Sequence, residues 1–176
     1  GLSFTSFANQ LFVQTLKNNL KIRIILEPNA PFDSPYFVKG PEYVVMLYNL
    51  YGLHSGPGPK ADRAFIEKTI KRMKSLPGEK AVAIATGGVD WAESGTKKML
   101  TEMEAKSLAV TNGAQVSRDK DSQCLVFSYQ EGGVWHKVWY ADVNTLNFWI
   151  ALAQEQGESR INLWRLGGNI DIQLIK

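Results

Sequence analysis

Cysteine and histidine are nearly missing from this sequence. Cys124 is the one cysteine among 176 residues, so no internal disulfide can form, and no Cys/His cluster is there for it to join as a metal ligand. His54 and His136 are the only histidines and lie far apart in the chain. A two-histidine metal site or a Ser-His-Asp triad therefore has no support, and both histidines read as loop or surface residues. A lack of disulfides does not by itself fix the compartment. No apolar run approaches the ~20 residues a membrane span needs. No signal peptide is visible either, and Gly1 before Leu2 suits a cleaved tag. Net charge is +3, with Lys and Arg scattered. Nucleic acid would want a basic stripe, which is absent. The one basic bunch (Lys68, Lys71, Arg72 and Lys74, with Glu67) falls on a predicted helix and reads as its solvated face. Gly87-Gly88 lacks the rest of a phosphate-binding fingerprint, so no nucleotide site and no cofactor are expected. There is no fixed-period repeat, low-complexity tract or linker, and residues 1–176 are expected to form one domain.

What is present is an ordinary globular balance, 44% hydrophobic and 21% charged. The stretch 43–52 is central. Val44, Val45, Met46 and Leu47 form a near-continuous apolar run between Gly40-Pro41 and the Ser55-Gly56-Pro57-Gly58-Pro59 loop, as in a strand buried on both faces of a parallel sheet. Its polar groups, Tyr48 and Asn49, come at the C-terminal end. Around it, strands are predicted at 21–27, 81–85 and 161–166. Helices are predicted over 4–20 (Phe7, Leu11, Phe12, Leu16 and Leu20 recur at helical spacing), 62–75, 95–110 and 142–156, the last capped by Asp142. Two glycines at 87 and 88 suit a tight turn and close backbone approach. Short strands at 115–117, 123–129 and 134–140, with a hairpin turn at 131–133, read as a small antiparallel piece. It gives an α+β insertion over 97–140. Alternating strands and helices argue for an α/β fold with a parallel sheet. Glu27 ends the first strand and reads as a site carboxylate, a loop anchor or a salt-bridge partner.

Three segments carry a resemblance. Met46-Leu47-Tyr48-Asn49, with the Gly-Pro loop after it, resembles the Met-x-Tyr-Asp/Asn segment on the sixth barrel strand of glycoside hydrolase family 18, the chitinase-like enzymes. Val138-Trp139-Tyr140-Ala141-Asp142 is similar to the segment before that barrel's last helix. Ile161-Asn162-Leu163-Trp164-Arg165-Leu166-Gly167 is similar to its last strand. All three occur in the family's order, and the spore and cell-wall hydrolase branch is the nearest in pattern. The resemblance implies the C-terminal part of a TIM-type (β/α)8 barrel, about four strand-helix units, with the four main strands as the fifth to eighth. It implies a substrate such as peptidoglycan or chitin, a polymer containing N-acetylglucosamine, and a secreted or cell-surface location. By resemblance, the Tyr48 hydroxyl bonds the substrate's acetamido group, Asn49 contacts the sugar nearby, and Trp164 stacks beneath the ring. Met46, Trp91, Trp139 and Glu27 are further substrate-binding candidates. The competing readings are a buried tyrosine, a strand-capping amide and a core tryptophan. Trp135 and Trp149 read as packing.

The family's acid motif, Asp-x-x-Asp-x-Asp-x-Glu, does not occur in this sequence, as though the chain began just after it. In family 18 the substrate's own acetamido oxygen attacks the anomeric carbon while the motif Glu protonates the leaving oxygen. Without that Glu, general acid catalysis worth about 10²–10⁴-fold is lost, so the isolated chain is expected to be inactive. Where the family often has Asp, Asn49 keeps hydrogen bonding but not the charge. Half a barrel exposes two sheet edges. The chain would complement an N-terminal half, pair with a second copy, or settle as an open α/β sheet. The functional alternatives are a lectin-like carbohydrate-binding module and an α/β protein-interaction domain.

Overall fold

The computed structural model describes residues 2–176; Gly1, and with it the tag reading, lies outside them. Helix α1 (Leu2–Lys17) leads into β1 (Arg23–Leu26), β2 (Glu42–Met46), α2 (Arg63–Met73) and β3 (Lys80–Ala85). Next come β4 (Gly87–Ala92), β5 (Lys97–Leu100), α3 (Glu102–Thr111), β6 (Ser117–Arg118), β7 (Leu125–Glu131) and β8 (Val134–Ala141). The chain closes with α4 (Val143–Glu155), β9 (Ile161–Trp164) and a 3-10 turn at Ile172–Leu174. Strands β1-β2-β3-β9, in that order, make a four-stranded sheet, parallel throughout. The four strands read from the sequence are these four.

Strand alternation divides that sheet into two faces. Ile24, Leu26, Tyr43, Val45, Leu47, Val82 and Ile84 turn toward Ile66, Ile70 and Met73 of α2 and Leu146, Trp149 and Ile150 of α4. This is the main core. The opposite face carries Val44, Ala81 and Ala83, with Tyr48 packed on them. Asp62 caps α2 by accepting from the Phe65 amide at 2.8 Å, and Asp142 caps α4 in a capping box with Thr145. Both caps satisfy amide protons that the first helical turn would otherwise leave unpaired.

A second, antiparallel sheet of five strands runs β5-β4-β8-β7-β6 and spans residues 87–141. Helix α3 covers one face, with Ala105 and Ala109 against Leu100, Phe127, Tyr129, Val138 and Tyr140. Two sequence expectations are corrected here. The helix over 95–110 is instead a strand followed by a shorter helix. Residues 97–100 pair with 88–91 across a turn at Gly95 (φ +95°), and the Thr101/Glu104 capping box sets the helix start at Glu102. The glycines at 87 and 88 open β4, a central strand that lies ahead of the 97–140 insertion range. A Cβ at Gly88 would collide with the Trp139 carbonyl, so only glycine lets β4 and β8 approach this closely. The Lys/Arg face of α2 is also not wholly solvated: Arg72 donates to the carbonyls of Pro28 (2.7 Å) and Ala30 (2.9 Å) and lies over the Phe32 ring.

Candidate functional site

The C-terminal ends of the parallel strands open into one cleft of about 760 Å³. Glu27 from the end of β1, Tyr48 and Asn49 from the end of β2, Ala85 from β3 and Trp164 from β9 all line it. Four of the seven sequence candidates are thus brought together from three separate strands. Met46 sits half-buried at the end of β2, before the cleft begins. Trp91 is 4% exposed and does not reach the cleft.

Each cleft residue has a local cause. Asn49 holds a left-handed backbone (φ +72°), a conformation Asn tolerates better than most side chains. Its amide donates to Glu27 at 3.4 Å, and Glu27 also lines the cleft. The Tyr48 hydroxyl has no hydrogen-bond partner among the described residues. Burial first, and then the Glu27 charge, raise its pKa, which keeps it a proton donor at neutral pH. Trp164 is 61% exposed, not a core residue. Its carbonyl accepts from the Thr86 amide at 2.8 Å, and the Trp164–Arg165 peptide bond is cis.

The Gly-Pro loop over the cleft is fastened at several points. Leu50 and Tyr51 amides bond the Lys60 and Pro59 carbonyls, closing its base. The Trp91 indole donates to the Ser55 carbonyl (3.0 Å) and more weakly to that of Gly52 (3.3 Å), and Lys97 Nζ donates to that of Leu53 (3.1 Å). Trp91 thus fastens the loop to β4. Gly58 lies against the Tyr51 ring, where no side chain would fit.

One cleft residue went unnoticed in the sequence. Lys60 leaves the loop just before α2 and lines the cleft, its ammonium donating to the Thr86 carbonyl at 2.8 Å. Burial lowers its pKa to about 8. A lysine among Gly and Pro in a loop has no periodicity to mark it, so only the packing shows it.

His54 is an exposed loop residue lining the cleft. His136 is not a surface residue: on β8 its Nδ1 lies 2.9 Å from Asp90, whose other oxygen accepts from the Tyr129 hydroxyl at 2.7 Å. This cluster ties the second sheet together. Trp149 is packing, fully buried with its indole donating to the Ser122 carbonyl. Trp135, by contrast, is 49% exposed and lines a second cavity of about 530 Å³ with Trp91 and Pro57. Trp139 is half-buried against the main core. Among the described residues no His/Cys/Asp/Glu cluster could hold a metal ion.

Chemically, the cleft offers an apolar indole face, a hydroxyl donor, an amide, an ammonium and one carboxylate. Glycoside hydrolysis in most families needs a pair of carboxylates flanking the bond. Glu27 is the only one lining this cleft among the described residues.

The fold is that of chitinases and spore cortex-lytic glycosylases: solved structures of both kinds match over nearly the whole chain. The chitinase of Chromobacterium violaceum aligns with a TM-score of 0.81 and 22% identity over 96% of this chain and 57% of its own. The spore cortex-lytic enzyme of Bacillus cereus gives 0.78 and 21%, covering 93% of this chain and 41% of its own. A variant of the class V chitinase of Nicotiana tobaccum, in complex with NAG4, gives 0.69 and 13%, covering 96% and 59%. The chain spans less than two thirds of the length of each. No protein-family model and no curated protein sequence matches it.

Proposed function

We propose that this chain is the part of a TIM-type (β/α)8 barrel that carries its fifth to eighth strand-helix units. The barrel is a family 18-type glycoside hydrolase domain that binds N-acetylglucosamine-containing polysaccharide, either peptidoglycan or chitin. The observation that carries the reading is the convergence of Tyr48, Asn49 and Trp164 on one cleft at the C-terminal ends of parallel strands, the end at which β/α barrels bind their ligands. The exposed Trp164 indole supplies an apolar platform for a sugar ring. The free Tyr48 hydroxyl is a donor for an acetamido oxygen, and Asn49 borders it. The tobacco relative in complex with NAG4 supports an N-acetylglucosamine oligomer as ligand. The polymers named lie outside the cell, which favours a secreted or cell-surface location. No helix among the described residues is long and apolar enough to cross a membrane.

The chain alone lacks the acid motif, and Glu27, the cleft's one carboxylate, is bonded to Asn49. It is therefore a binding half-site without a general acid, and no hydrolysis is expected from it. The same observation favours a second reading, a non-catalytic lectin-like module. The two part when a segment carrying Asp-x-x-Asp-x-Asp-x-Glu is supplied: hydrolysis then appears in the first case only.

Calorimetric titration with N-acetylglucosamine oligomers tests the binding claim. The expected result is saturable binding that Tyr48→Phe weakens roughly three- to tenfold, the worth of one hydrogen bond. Binding indifferent to Tyr48→Phe would remove Tyr48 from the site, and no binding at all would favour an α/β protein-interaction domain instead.

A further inference from the structure

The cleft contains a cation that no anion balances. Lys60 is half-buried, and its ammonium gives one proton to the Thr86 carbonyl at 2.8 Å. An ammonium has three protons to donate, and the other two have no partner among the described residues. Among the described residues the ion pairs use Arg23, Arg63, Arg118, His136 and Arg160, and none includes Lys60. Its electrostatic neighbour is the Cys124 thiol, pushed up to about 12 by burial and therefore neutral. Partial removal of a charge from water without a counter-ion carries a cost that a neutral side chain of similar length would avoid. A charged cleft residue perturbed by burial is a candidate for a functional role.

Glu27 is the cleft's one carboxylate, and among the described residues no ion pair joins it to Lys60 or to Arg72, whose guanidinium keeps its charge while donating to two backbone carbonyls. Lys68 adds a further exposed cation on α2, so the cleft is positive on balance.

We infer that Lys60 is an anion-recognising residue and that the cleft takes an acidic glycan, one bearing a carboxylate beside an N-acetylated amino sugar. This rests on the sugar-binding reading above and adds to it a charge requirement. A compact ammonium with two spare protons suits a carboxylate oxygen approached from one side. Two kinds of glycan supply that group: a lactyl ether on the amino sugar itself, as in N-acetylmuramic acid, or an adjoining uronic acid.

The test compares three oligomers of equal length on the full chain. One is neutral N-acetylglucosamine, one alternates N-acetylglucosamine with N-acetylmuramic acid, and one alternates N-acetylglucosamine with glucuronic acid. At pH 7 at least one acidic oligomer binds about tenfold more tightly than the neutral one, and which one identifies the carboxylate source. The preference falls as pH rises to about 9.5, because the ammonium loses its proton near pH 8 while the ligand carboxylate stays ionised. Other titratable groups border Lys60: Cys124 ahead of β7, Glu27 from β1, Tyr48, Tyr51 and His54 after β2, and Lys68 and Arg72 on α2. Lys60→Gln separates their effects from that of Lys60. It keeps a donor for Thr86 but removes the charge, so the preference should be absent at both pH values. Lys60→Arg should restore it. A preference that survives Lys60→Gln would show that another group reads the anion. Equal binding of all three oligomers overturns the inference and leaves sugar binding standing, whereas no binding of any overturns both. If Lys60→Gln does not fold, the wild-type pH series decides alone: a preference unchanged at about pH 9.5 overturns the inference.

Discussion

Trp91 shows how a single side chain shapes the cleft without entering it. Its indole proton is shared by the Ser55 and Gly52 carbonyls while its ring is buried on β4. Trp91→Phe keeps most of the apolar bulk and removes the donor. It should lower stability by about 1 kcal/mol, since half-buried carbonyls lose a partner, and urea unfolding would measure this. A loss near zero would mean that the loop holds itself. At this scale the sequence was partly legible. Tyr48, Asn49 and Trp164 stood out because each ends an apolar run and repeats a pattern seen elsewhere. Trp91 stood out as an aromatic, but its partners lie in a loop far away in sequence, so its role as a fastener was hidden. Lys60 was hidden for the same reason, its meaning depending on the carbonyl and thiol that surround it.

At the scale of elements, the joint between α4 and the second sheet depends on charge. Asp142 caps α4 through the Thr145 amide at 2.9 Å and receives both Arg118 amino groups, at 2.6 and 3.0 Å. Burial alone would raise the Asp142 carboxyl, but Arg118 and Thr145 together bring it below the usual range. A carboxyl lowered in this way contributes stability above the unfolded-chain value near pH 4. That contribution is lost as pH falls through the folded value. Asp142→Asn should therefore cost about 1–2 kcal/mol at neutral pH, and the gap to wild type should narrow in acid. Thermal unfolding at a series of pH values measures this. A gap that stays constant into strong acid would contradict the assignment. The Asp142 cap was legible because Asp precedes a clear helical period. The β5–α3 boundary was not: residues 95–110 read as one helix, because pairing with β4, on the far side of a turn, sets the conformation of 97–100.

On the scale of the molecule, the parallel sheet has one face packed on α2 and α4 and another that is buried only at its centre, at Val44, Ala81 and Ala83. Sheets of this kind are normally covered on both. Here β1 and β9 are the edge strands, and Ile25 and Trp164 on the second face are more than half exposed. Phe7, Leu11, Leu16 and Leu20 at the chain's start are exposed as well, so the helical period read from 4–20 is only partly buried, through Ala8 in the main core and a half-buried Phe12. On the proposed reading the remainder of a barrel covers these surfaces. The parallel order and its four strands were legible from alternating apolar runs and helical periods. The second sheet was only half legible, because its central strand begins at two glycines that read as a turn.

The central claim is that the open ends of this sheet form a site for N-acetylglucosamine polymers, with Trp164 as its platform. Tryptophan fluorescence titrated with N-acetylglucosamine oligomers, on the wild type and on Trp164→Ala, tests it most directly. The account predicts a saturable change in the wild type that Trp164→Ala abolishes. A silent wild type, or a response that persists in Trp164→Ala, would contradict it.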